Sequence, residues 1–195
     1  MSFTAIFGGT FNPFHNGHYE MLKALNACDK VSKIFIMPDK IPPHKSADEL
    51  ASDIDRINMC KLVAEDFNKA EVCDIEFKRE GKSYTYDTVK LLQELYSNDN
   101  LAFVCGGDML VYFDKWYKAN ELMKMLPFFV FSRTSTNSQE FIDCVNRFRD
   151  MGMEIILMDD EIPNISSTDF RNGLSGSILP EKIYNYIKER GLYGV

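Results

Sequence analysis

Ile6-Phe7-Gly8-Gly9-Thr10-Phe11-Asn12-Pro13-Phe14-His15-Asn16-Gly17-His18 is the stretch on which the reading of this chain turns. It grows out of a short apolar run, Phe3 to Phe7, that predicts a buried strand. Gly8 and Gly9 follow, residues that let a backbone turn sharply and approach a ligand closely. Beyond Gly17 the spacing of Met21, Leu22 and Leu25 is helical, so His15 and His18 share a face at a helix start. A helix start offers unpaired N–H groups and a partial positive charge, and both suit phosphate. The stretch therefore predicts a phosphate site along Gly8, Gly9, Thr10 and Phe11, with His15 and His18 as donors for a transition state. Plainer readings stay open for the parts. A glycine pair after a strand is commonly just a turn, and a histidine is commonly a satisfied structural residue. His-x-x-His also suggests a metal pair, but no third ligand stands nearby and zinc needs three or four protein ligands, so no protein metal site is expected. The dinucleotide fingerprint G-x-G-x-x-G and the P-loop are both absent.

Working outward, 195 residues suffice for one α/β domain with a full core. The net charge of −7 argues against broad nucleic-acid or anionic-membrane binding. Lys23 is the first Lys or Arg and no apolar stretch approaches the length of a span, so neither a signal peptide nor a membrane helix is expected. The five cysteines are odd in number and widely spaced, which reads as reduced thiols in a cytoplasmic protein. Homo-oligomerisation is left open.

Strands and helices alternate along the chain. Lys33 to Met37 predicts a second strand, closed by Pro38, and Pro38 to Asp53 a long polar connection. Ser52 with Asp55 resembles a capping box ahead of a helix. Val72 to Phe77 predicts strand three, Tyr86 to Tyr96 a helix, and Leu101 to Cys105 strand four. Glu121 to Met125 predicts a short helix, Pro127 to Phe131 strand five, Phe141 to Phe148 a helix, and Glu154 to Met158 strand six. Thr168 to Leu174 and Glu181 to Arg190 predict two terminal helices. Such alternation implies a mostly parallel sheet covered on both faces, with ligands bound beyond the carboxyl ends of its strands. The polar clusters fall at those ends: Gly8-Gly9, Pro38 to Lys45, Gly106 to Asp108, Arg133, and Ile165 to Arg171.

Ile165-Ser166-Ser167-Thr168-Asp169-Phe170-Arg171 is the second motif, a loop entering a helix with hydroxyls, N–H groups and a guanidinium available to an anion. By itself it also reads as a simple helix cap. Together, Gly9 to His18 and Ile165 to Arg171 resemble the nucleotidyltransferase signatures G-x-F-x-P-x-H-x-G-H and I-S-x-T-x-x-R, in the same order along the chain. Within that superfamily the sequence is similar to the nicotinate-nucleotide adenylyltransferases over nearly its whole length. Pro42-Pro43-His44-Lys45, Ser83-Tyr84-Thr85, Gly106-Gly107-Asp108, Trp116-Tyr117, Arg133 and the tail through Gly191-Leu192-Tyr193 carry the likeness.

The resemblance implies a single nucleotidyltransferase domain over residues 1–195. Its expected fold is α/β and Rossmann-like: a doubly wound, mostly parallel sheet, helices on both faces, and a C-terminal helical region. It implies adenylyl transfer from ATP to nicotinate mononucleotide, with Mg²⁺ arriving on ATP. It assigns ATP to Gly8, Gly9, Thr10, Phe11, His15, His18, Gly106, Asp108, Ile165, Ser166, Thr168 and Arg171. It assigns the mononucleotide to His44, Lys45, Thr85, Asp108, Trp116, Tyr117 and Arg133. Trp116 is then expected to stack on the pyridine ring, N–H groups near Thr85 and Tyr117 to hold its carboxylate, Asp108 to meet ribose, and Lys45 and Arg133 to meet phosphate. Core packing for Trp116, a turn for Asp108, a solvated loop charge for Lys45 and a plain helix entry for Ser83-Tyr84-Thr85 remain the alternatives. Asn12 departs from the Asp that many relatives carry, which fits a turn residue better than a metal ligand.

Overall fold

Strand β1 (Phe3–Gly9) lies inside the sheet because both of its faces are apolar: Ala5 and Phe7 are buried on one side and Ile6 on the other. The computed structural model describes residues 2–41, 50–133, 139–173 and 175–195. Around β1 stand β2 (Val31–Pro38), β3 (Ala70–Val72), β4 (Leu101–Gly106), β5 (Phe128–Arg133) and β6 (Ile155–Ile162). The order is β3-β2-β1-β4-β5-β6, and every neighbouring pair is parallel. The chain builds outward from β1 to β3, then crosses back to lay β4 on the other side of β1. The order thus reverses between β1 and β4, with Thr4 opposite Leu101 and Phe7 opposite Val104.

The helices are α1 (Asn16–Ala27), α2 (Asp53–Ala64), α3 (Thr85–Leu95), α4 (Gly107–Val111), α5 (Ala119–Leu122), α6 (Gln139–Asp150), α7 (Ser167–Arg171) and α8 (Glu181–Arg190). Helices α1, α2 and α8 cover one face through Met21, Leu22, Met59, Val63, Ile183 and Ile187. Helices α3, α5 and α6 cover the other through Val89, Leu92, Leu122, Val145 and Phe148. The expected doubly wound α/β sheet is the fold observed. Among the described residues no helix is long and apolar enough to cross a membrane. The five cysteines are free and all but Cys28 are buried; burial pushes the Cys60 and Cys105 thiols up, which keeps them unreactive.

Two expectations are corrected, and one helix was not foreseen. Gly8 and Gly9 are not the turn: both belong to β1, opposite Met37 and Pro38, and the chain reverses only after Thr10. Gly9 is small for a different reason, since a Cβ there would lie 3.0 Å from the Phe11 ring. Strand three ends at Val72, and Ile75–Lys78 is a 3-10 turn. The alternation of Ile75 and Phe77 imitates a strand, but Phe77 instead lies under the Arg56 guanidinium at 5.4 Å, while Glu76 is buried and accepts from the Thr88 hydroxyl. The segment after β4 runs directly into α4, which the glycines concealed; a Cβ on Gly107 would press to 2.8 Å from the Phe141 ring of α6.

The C-terminal helix is fastened to α2 through Asp55, which is 4 % exposed. Its carboxylate accepts from Ser52 Oγ at 2.6 Å, Tyr186 OH at 2.8 Å and Arg190 Nε at 3.1 Å. Burial opposes its ionisation, but these three bonds and the Arg190 charge outweigh it and hold the carboxyl below the usual aspartate range. A carboxyl held low in the folded state adds stability that is complete above the ordinary range and is lost as the pH falls through the folded value. Asp55→Asn should therefore melt below the wild type at pH 7, and the gap in Tm should close below about pH 4. Thermal melts at stepped pH check this, and a gap independent of pH would contradict it.

Candidate functional site

At a switch in strand order the loops leaving two neighbouring strands part in opposite directions and open a crevice beyond their carboxyl ends. Here that crevice lies between the ends of β1 and β4. On the β1 side the chain passes through Phe11, with φ 46°, and a cis Asn12–Pro13 peptide into α1. On the β4 side Gly106 ends the strand and caps α4, and a Cβ on it would collide with the Asp108 carboxylate.

His15 is the N-cap of α1, and His15 and His18 form a reciprocal capping box. The His18 N–H donates to His15 Nδ1 and the His15 N–H donates to His18 Nδ1, both at 3.3 Å. A main-chain N–H can only donate, so each Nδ1 must be an acceptor and each neutral ring carries its proton on Nε2. Both imidazoles are thereby set as Nε2–H donors. Their rings stack at 3.6 Å with 19° between planes. Phe7, Phe11 and Phe14 wall in His18 at 6.2, 5.0 and 5.1 Å. His15 is only 3 % exposed, whereas His18 is partly open. Gly17 makes room for the pair, because a Cβ there would stand 3.0 Å from the His15 ring.

The second motif docks on the same loop from the far end of the chain. Arg171 Nη1 donates to Asn12 O at 2.6 Å, its Nη2 donates to Thr168 Oγ1 at 3.0 Å, and Ser167 Oγ donates to Pro13 O at 2.8 Å. Ser166 caps α7 in a box with Asp169, so the helix-cap reading and the neighbourhood of the first motif both hold for it. Ile165 leads into that cap. Asn12 is a turn residue: its Oδ1 accepts from Ala51 N at 2.9 Å and from the Tyr193 hydroxyl at 2.6 Å.

Thr85 opens α3, and Tyr117 lies against the rings that flank it, 4.8 Å from Tyr84 and 6.0 Å from Tyr86. Lys118 Nζ sits over Tyr86 at 4.4 Å. The half-buried Trp116 turns toward Phe113 at 5.3 Å and Phe103 at 5.8 Å, beside a cavity of about 350 Å³ that Lys118, Glu121 and Arg147 also line. Phe103 in turn lies 3.6 Å from where a Gly8 Cβ would be, so one ring separates Trp116 from the end of β1. Lys45 and His44 lie outside the described residues, and Arg133 is described only as the last backbone position of β5. Among the described residues no group of three or more His, Cys, Asp or Glu is placed to hold a metal ion.

Sequence reasoning passed over Arg56. Its side chain is fully buried, and its five N–H groups reach Ala51 O at 3.3 Å, Thr10 O at 3.2 Å, Asp39 O at 2.5 Å, Lys40 O at 3.1 Å and Asp53 Oδ1 at 2.8 Å. In the sequence it sits among Asp53, Asp55 and Asn58 and reads as part of a solvated helix face.

With this geometry in place, comparison with known proteins is direct. The pattern of the cytidylyltransferase-like family matches residues 6–173. A "probable nicotinate-nucleotide adenylyltransferase" of Listeria innocua is 36% identical over 191 residues, covering 97% of this chain and 96% of its own. The nicotinate-nucleotide adenylyltransferase of Bacillus subtilis is 34% identical over 193 residues, covering 96% of each chain. The Plasmodium falciparum nicotinic acid mononucleotide adenylyltransferase complexed with NaAD superposes with a TM-score of 0.83 over 100% of this chain and 98% of that one. At 22% identity that likeness is one of fold.

The crevice loops depend on Arg56 whatever they bind. Removing it takes the guanidinium donors from the carbonyls of four half-buried residues, Thr10, Asp39, Lys40 and Ala51, and each carbonyl left unpaired costs about 1–3 kcal/mol. Arg56→Met should lower stability by at least about 3 kcal/mol, or roughly 6–12 °C in Tm for a chain of this size. Arg56→Lys should recover little, because an ammonium is a point charge and not a planar fork. Calorimetry of the two variants checks this; near-wild-type melting of either would show that the carbonyls find other donors.

Proposed function

This chain belongs to the cytidylyltransferase-like family and, within it, to the nicotinate-nucleotide adenylyltransferases, and from that premise we propose how its residues divide the work. The reaction is adenylyl transfer from ATP to nicotinate mononucleotide in NAD biosynthesis. A 5′-phosphate oxygen of the mononucleotide attacks the α-phosphorus of ATP, the bond from that phosphorus to the β-phosphate oxygen breaks, and deamido-NAD and pyrophosphate leave. The nucleophile is already anionic, so no base is needed. Catalysis reduces to alignment and to stabilising charge on the phosphates.

The observation that carries the assignment is the capping box of His15 and His18, because it holds two Nε2–H donors at the crevice in one tautomer. Donors set before the reaction cost no reorganisation as charge develops. His18, the more open of the two, takes the α-phosphate in the transition state, and the buried His15 steadies it. Gly8, Gly9, Thr10 and Phe11 bring backbone close to the phosphates. Arg171 with Ile165, Ser166 and Thr168 takes the departing β- and γ-phosphates, and Gly106 and Asp108 take ribose. Thr85, Trp116 and Tyr117 receive the pyridine end, with His44, Lys45 and Arg133 on the acceptor phosphate. Mg²⁺ enters as part of the ATP substrate, bound by phosphate oxygens and water. The whole chain, 1–195, works as one domain, and its free, mostly buried thiols fit a cytoplasmic setting.

Pyrophosphate release measured with ATP and each pyridine mononucleotide in turn tests the function; no release with nicotinate mononucleotide would overturn it. His18→Ala should fold normally and lose on the order of a hundredfold in kcat, with a smaller change in the ATP KM. Arg171→Ala should raise the KM for ATP and weaken pyrophosphate in the reverse reaction. Lysine at 171 should rescue only part of that loss, for want of a planar fork. Unchanged parameters in either series would take that residue out of the mechanism.

A further inference from the structure

The third residue from the end of the chain touches both signature motifs, although it belongs to neither. The Tyr193 hydroxyl donates to Asn12 Oδ1 at 2.6 Å, and its ring stands edge-on to Phe170 of α7 at 5.8 Å and 89°. Asn12 is 1 % exposed and lies three residues before His15. Its main-chain oxygen accepts from Arg171, and its side-chain oxygen accepts from Ala51 N as well as from Tyr193. The tail reaches this point because Gly191, with φ 61°, ends α8 and turns the chain back toward the loop. Tyr193 itself has φ 59°. A bulky L residue rarely adopts that conformation, and it persists only where the surroundings hold it. Burial pushes the phenol up, so it stays protonated and remains a donor.

We propose that Tyr193 is a positioning residue for adenylyl transfer, acting through Asn12 to set the loop from which His15 and His18 project. The inference rests on the function proposed above. A donor misplaced by a fraction of an ångström loses most of its benefit, so a hydrogen bond three residues upstream of the N-cap is felt at the imidazoles.

Tyr193→Phe keeps the ring on Phe170 and removes only the hydroxyl. Tyr186→Phe is the control: it removes another phenol of the C-terminal region, one bonded to Asp55 and Asn58 on α2 and not to the loop. Both variants should lose a few degrees in Tm. Tyr193→Phe alone should lose roughly tenfold in kcat, with both KM values within about twofold of wild type. Combining it with Asn12→Ala should add nothing to the loss of Asn12→Ala alone. The chain has 3 histidines, so imidazole ¹⁵N spectra resolve the pair independently of turnover. Tyr193→Phe should shift the His15 and His18 resonances, and Tyr186→Phe should leave them in place. Wild-type kcat and unmoved resonances in Tyr193→Phe, equal kcat losses in the two phenol variants, or losses additive with Asn12→Ala would each overturn the proposal. A wild-type protein without turnover would overturn the functional reading instead, and the spectra would then decide by themselves whether Tyr193 sets the histidine loop.

Discussion

A buried guanidinium with every N–H satisfied is the contact on which the remaining structure depends. Where β1 and β2 end side by side, their last carbonyls run out of sheet partners, and an unpaired carbonyl in the interior is costly. Arg56 answers this by gathering Thr10, Asp39, Lys40 and Ala51 around one planar fork. Lysine lacks that fork, with three donors on a single nitrogen. The same residue pins the start of α2 beneath the crevice.

The C-terminal region is held at two separate places, the first beside Arg56. Its neighbour Asp55 holds α8 through Tyr186 and Arg190. The turn after α8 returns Tyr193 to Asn12, and Asn12 holds Ala51, at the entrance to α2. Arg171 and Ser167 tie the second motif to Asn12 and Pro13. The loop bearing the two histidines is therefore braced by residues 39 to 181 positions away in sequence. That bracing suits the proposed role of the two histidines as fixed donors, because a reaction with no proton to move gains from groups already in place. The capping box adds a second economy of design: the bonds that start α1 also choose the tautomer of both imidazoles.

Much of the architecture was legible in local pattern. Helix α8 runs from Glu181 to Arg190 as its 3.6-residue stripe predicts, and α3 lies within one residue of expectation at each end. Strand β4 extends one residue past expectation, and the apolar run of β1 marked an interior strand. What failed were places where tertiary contacts reuse a local signal. Ile75 and Phe77 alternate like a strand, but Phe77 serves Arg56. The glycines at 8 and 9 look like a turn, but both belong to β1, and Gly9 makes room for the Phe11 ring.

The sequence by itself determined the α/β class, the two motifs and the family, because hydrophobic periodicity and motif spacing are properties of neighbouring residues. Only the tertiary structure decided that the second motif docks on the loop of the first, that Arg56 is buried and that Tyr193 reaches Asn12. Those facts depend on pairings across most of the chain. An arginine in a polar stretch of helix looks the same from its neighbours whether it faces water or four carbonyls, and only the packed sheet ends make the difference.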